Sequence, residues 1–124
     1  MQAAMRRLAA LAAAALLTAG CGQTAKKQAE DLGSIAAEGA LVAHDAAEGS
    51  TTDAFTRVHS RALRKKADKI EEQAKQPTLE RLAERISRSL ERLADDPDDR
   101  DAAATIERLL EKADKDAGEL EEQS

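Results

Sequence analysis

The chain has no Trp, no Tyr and a single Phe. One aromatic ring cannot build a platform on which bases or sugars stack. One Cys in 124 residues excludes an internal disulfide and a cysteine-rich zinc site. Two of the six Gly fall within the first 22 residues and four are scattered over the rest, so no phosphate-cradling loop exists. No apolar run reaches the roughly 20 residues that a membrane span requires. Val, Ile, Thr and aromatic residues never fall in the alternation of a half-buried strand. What remains is rich in helix formers, with 19 basic and 24 acidic residues and a net charge of −5.

Residues 1–20 differ from everything after them. Arg6 and Arg7 are the only charges before Lys26, and a run of Ala and Leu follows from Leu8 to Leu17. A positive start, a short apolar run and small residues at its end are the marks of a secretory signal peptide. Arg6-Arg7 is followed directly by Leu8-Ala9, without the rest of a twin-arginine motif, and reads as an ordinary positive start. Met1 and Met5 both remain open as the true first residue.

Leu17-Thr18-Ala19-Gly20-Cys21 resembles the lipobox of bacterial lipoproteins. It departs from the commonest pattern at Thr18, where Leu is usual. The resemblance implies cleavage between Gly20 and Cys21, and diacylation of the Cys21 sulfur. One acyl chain holds a protein only marginally at a membrane, and two hold it stably. It further implies a location on the extracytoplasmic face of the cell membrane, periplasmic or extracellular. Gly22 stands where some Gram-negative lipoproteins carry the Asp that retains them in the inner membrane. The domain reading is therefore a signal peptide over 1–20, a lipidated Cys and tether over 21–24, and a helical domain over 25–124.

Beyond Cys21 the spacing of apolar residues predicts four helices. The first covers about 25–48, with Leu32, Ile35 and Val42 extended by Ala36, Gly39, Ala43 and Ala46. The second covers about 52–75, opened by Ser50-x-x-Asp53 as a capping box, with Phe55, His59, Ala62, Leu63, Lys66 and Ile70 on one face and Pro77 closing it. The third, about 78–94, carries Leu79, Leu82, Ile86, Leu90 and Leu93. The fourth, about 97–121, begins at Pro97 and carries Ala103, Ile106, Leu109 or Leu110, Ala113, Ala117 and Leu120. Short connections make neighbours antiparallel. The expected fold is all-α, a small antiparallel helical bundle of about four helices. A helical hairpin that completes its core as a homodimer is the alternative.

Few side chains invite chemistry. His44 and His59, about one turn apart if the first two helices form a hairpin, are weak candidates for a metal site with a nearby carboxylate. No His-x-x-x-His or Glu-x-x-His spacing supports them, and core filling by His59 with His44 at the rim is the bland reading. Five Asp between 95 and 101 fail the EF-hand pattern at Arg100 and Asp101, and read as an acidic helix start. Arg57, Arg61 and Arg64 form a basic surface. Its bland explanation is a solvated face, or pairing with the fourth helix, since residues 95–124 hold 12 acids and 4 bases. Anionic lipid or an acidic polymer suits such a stripe better than nucleic acid outside the cytosol. No Ser stands in a strained nucleophile turn.

These readings predict a non-catalytic, membrane-anchored lipoprotein without a cofactor. It would be an interaction or structural module of the bacterial envelope that meets another envelope protein and no nucleic acid. A ligand- or metal-binding lipoprotein using the His44/His59 region is the alternative. The murein-type lipoprotein is also short, helical and lipidated. This chain ends in Glu-Gln-Ser without a terminal Lys, and prolines interrupt any long coiled coil.

Overall fold

Residues 24–124 are described by this computed structural model. Helix α1 spans Ala25–Glu48, α2 Asp53–Gln73, α3 Pro77–Asp95 and α4 Arg100–Gln123, with no strand among the described residues.

Each boundary has a local cause. Thr24 caps α1, its hydroxyl accepting from the Lys27 N–H at 3.2 Å. The same helix ends at Gly49, in the left-handed region at φ 70°. There the Gly49 N–H bonds Ala46 O and the Ser50 N–H bonds Asp45 O, which closes the last turn as a Schellman motif. Thr52, rather than Ser50, caps α2 by accepting from the Phe55 N–H at 3.1 Å. Ser50 Oγ donates back to Asp45 O instead. Pro77 ends the linker and occupies the first turn of α3, where its missing N–H costs nothing.

Pro97 does not begin the fourth helix as expected. It sits in the turn closed by the Asp99 N–H on Asp96 O, at the position where a fixed proline φ favours a turn. Asp99 is the cap of α4, accepting from the Ala102 N–H at 3.0 Å.

The helices run alternately up and down. Glu38 meets His59 and Arg64 meets Glu91; Arg85 meets Asp116 and His44 meets Glu107. The order around the bundle is α1, α2, α3, α4, with α4 returning to α1. Helices α1 and α3 touch across the centre, while α2 and α4 do not touch. The core closes within one chain, so four helices replace the hairpin that would need a second copy.

Small residues shape that core. Ala29, Ala36, Gly39, Ala43 and Ala46 of α1 are buried, as are Ala103, Ala113 and Ala117 of α4. At Gly39 an added Cβ would stand 2.9 Å from Leu90 Cδ2 and 3.1 Å from Leu110 Cδ1. Those two leucines enter the space that glycine leaves. The predicted stripe of α3 is buried throughout, from Leu79 to Leu93.

Of the face expected to be buried on α2, only Leu63 and Ile70 are in the core; Ala62 and Lys66 are exposed like Phe55, and His59 is half-buried. Phe55 is 52% exposed, and Thr56 and Ser60 are buried in its place. The phase of α2 is set by Leu63, Ala67 and Ile70, and stepping back at helical spacing from them reaches Ser60 and Thr56. Of the pair Leu109 and Leu110, only Leu110 faces inward.

Two measurements test this packing by urea unfolding. Gly39→Leu should cost about 1–3 kcal/mol through overpacking, whereas Gly118→Ala should gain up to about 1 kcal/mol of helix propensity, because nothing lies within 4 Å of a Cβ there. Ser60 Oγ is buried without a hydrogen-bond partner. Ser60→Ala should leave stability unchanged or raise it, and a loss above about 1 kcal/mol would show that the hydroxyl contributes to the fold.

Candidate functional site

Gly20 and Cys21, the predicted cleavage and lipidation positions, lie outside the described residues. The described bundle begins at the cap Thr24, three residues beyond Cys21. No helix among the described residues is long and apolar enough to cross a membrane.

The two histidines face different helices. His44 Nδ1–H donates to Glu107 of α4, at 3.0 Å to Oε1 and 3.1 Å to Oε2. His59 Nε2–H donates to Glu38 Oε1 of α1 at 2.9 Å, and its ring meets Phe55 edge-on at 5.3 Å. A carboxylate only accepts, so each contacting ring nitrogen carries the proton. The hairpin geometry that would set His44 toward α2 is not the one found, because α1 turns residue 44 toward α4. Among the described residues no group of three His, Cys, Asp or Glu is placed to hold a metal ion.

The basic surface is divided. Arg57 Nε–H donates to Ala94 O at 3.3 Å, near the C-terminus of α3, where a positive charge also suits the helix dipole. Arg64 bridges Asp68 at 3.5 Å and Glu91 at 3.4 Å. Arg61 is exposed. The expected complement in the acidic fourth helix is not used, since α2 and α4 lie diagonally. The α4 acids Glu107 and Asp116 pair with α1 and α3 instead.

Between α1 and α2 runs a groove of about 330 Å³, lined by Asp31, Ser34, Ile35, Glu38, Lys66 and Lys69 among others. Lys27 holds Asp31 at 3.1 Å and His59 holds Glu38. The groove is open, with charged walls and Ile35 and Ile70 at its floor. The sequence holds six basic residues and one acid from Arg57 to Lys69, and the structure adds that Lys65 and Lys69 share an outward face of α2 with exposed apolar residues. The spacing of 55, 58, 62, 65 and 69 is the signal that marks it.

Electrostatics at these seams is local. The Glu107 carboxylate, by its hydrogen bond first and its charge second, raises the pKa of His44 above the ordinary 6.5. Burial, then the neighbouring Glu84, Asp68 and Glu80, raises that of Glu71.

Compared with known proteins, the chain matches no protein family, no curated protein and no solved structure.

A raised histidine pKa means that the folded chain favours the imidazolium. The contribution of the His44–Glu107 contact is therefore fully present below about pH 6.5, the unfolded value, and is lost as pH rises through the folded value. NMR titration of the His44 ring should give a midpoint above the ordinary value, and Glu107→Gln should bring it down. An unchanged midpoint in that variant would separate the two groups.

Proposed function

We propose that this chain is an exported lipoprotein, a non-catalytic helical interaction or structural module held at the extracytoplasmic face of a bacterial membrane by lipid on Cys21. The observation that carries the reading is the run Leu17-Thr18-Ala19-Gly20-Cys21, placed where a short apolar segment ends and containing the only Cys. Arg6 and Arg7 before that segment supply the positive start that export signals share.

The bundle is compatible with such an anchor. Its first helix starts at Ala25, so four residues connect Cys21 to a folded helix. At most about 3.6 Å per residue, this tether keeps the domain within roughly 15 Å of the attachment point. The role in the envelope is contact rather than turnover. The histidines are engaged with carboxylates on separate seams, and the hydroxyls of Ser34, Ser50, Ser87 and Ser124 bond backbone or Asp68 oxygens. None of these hydroxyls is hydrogen-bonded to a histidine.

Metabolic labelling with radioactive palmitate tests the proposal. The wild-type protein should carry label and lose residues 1–20 by mass, and Cys21→Ser should abolish both. An unlabelled wild-type product that keeps its first twenty residues overturns the reading.

A further inference from the structure

Helix α2 carries two stripes of the same spacing. One turns Thr56, Ser60, Leu63, Ala67 and Ile70 to the core. The other sets Phe55, Val58, Ala62, Lys65 and Lys69 at steps of three and four on the outward side, all exposed. Such steps keep side chains on one helical face. Val58 is 68% exposed. Leu41 of α1, also 68% exposed, lies three residues beyond Glu38, the partner of His59. The antiparallel pairing brings it to the level of Phe55 and Val58. Two large apolar side chains of α2 therefore stand in water at one end of this face, with Leu41 exposed on the neighbouring α1 at the same level, and lysines stand at the other end.

The lysines have no internal complement. Arg57 and Arg64 are taken up by α3, but Arg61, Lys65, Lys66 and Lys69 form no ion pair among the described residues. Helix α2 holds six basic and four acidic residues, against four basic and eight acidic in α4. The two lie diagonally without touching. The bundle thus presents its most basic helix on one side and its most acidic on the opposite one. Glu72, which continues the outer stripe past Lys69, is the acid on that face.

We infer that the outward face of α2, with Leu41 beside it, docks on an anionic lipid surface. Phe55, Val58 and Leu41 enter the headgroup layer, while Lys65, Lys66 and Lys69 meet lipid phosphates. This rests on the lipid anchor proposed above, which places the bundle within a short tether of such a surface. Charge complementarity selects the occupant: basic side chains near an anionic leaflet contribute about 1 kcal/mol each, and apolar side chains beside them are the pattern of an interfacial helix. The diagonal α4, with its excess of acids, is repelled by the same surface and turns outward. The anchor alone would leave the domain free to tumble; the α2 face gives it a fixed orientation.

The test uses the protein purified from membranes with its native anchor and reconstituted into vesicles. A single fluorophore is attached through Val58→Cys, or through Leu109→Cys on α4 as the control, and lipid-borne nitroxides act as quenchers. In vesicles containing anionic phospholipid the label at 58 should be quenched and the label at 109 should not. High salt or purely zwitterionic vesicles should relieve the quenching. Replacing Lys65, Lys66 and Lys69 by Gln should lower the ratio of docked to undocked protein about a hundredfold, from about 1 kcal/mol per basic residue, while the protein still floats with the vesicles. Equal signals at 58 and 109 with the protein afloat overturn the inference and leave the anchor standing. Quenching at 58 that appears only in native membranes overturns it in favour of a protein occupant. Failure to float at all overturns the anchor, and this inference with it.

Discussion

The close approach of α1 to α4, permitted by small side chains on both, is the constraint on which the rest of the structure depends. The chain has few large apolar residues to bury: Leu41, Phe55, Val58 and Leu109 remain exposed. Much of the remaining core is alanine, which contributes little area by itself. Such a core reaches dense packing only if the backbones come near enough for leucines from opposite helices to interdigitate over alanine and glycine. Gly39 marks the centre of that arrangement, with Leu90 reaching it from α3 and Leu110 from α4. The contact between α1 and α3 across the bundle follows from it, and so does the separation of α2 from α4.

Polar contacts at the surface then read as selectors of neighbours more than as sources of stability. Exposed ion pairs are worth roughly 0–1 kcal/mol each. Yet Glu38–His59, Arg64–Glu91, Arg85–Asp116 and His44–Glu107 each join one pair of neighbouring helices. Glu107 and Asp116 of α4 are answered by α1 and α3, and Arg57 and Arg64 of α2 by α3. What this leaves over on α2 is a set of lysines that form no ion pair among the described residues, together with the exposed Phe55 and Val58. A docked lipid surface would satisfy both at once, and would give an asymmetric bundle a reason for its asymmetry.

Legibility varied with the strength of local patterning. The stripe of α3 was clear because five large residues fall at helical spacing with polar residues between them, and all five are buried. Helix α1 was equally clear in extent, ending where Gly49 supplies a positive φ that other residues avoid. At the start of α2 the sequence points to the wrong phase, because Phe55 is the largest apolar residue there and Thr56 and Ser60 carry no hydrophobic signal. Pro97 is ambiguous in the sequence because proline suits both a first helical turn and the second position of a tight turn. The cap at Asp99, two residues on, decides between them.

Helix count and all-α class were determined by the sequence alone, since propensity, caps and apolar period act over a few residues and need no partner. The proposed anchor rests on a contiguous motif around Cys21. Which helix lies beside which was decided only by the tertiary structure. The order around the bundle depends on how closely backbones approach, a property of two surfaces together. That order separates His44 from His59, carries Arg57 and Arg64 to α3, and leaves Lys65 and Lys69 facing outward.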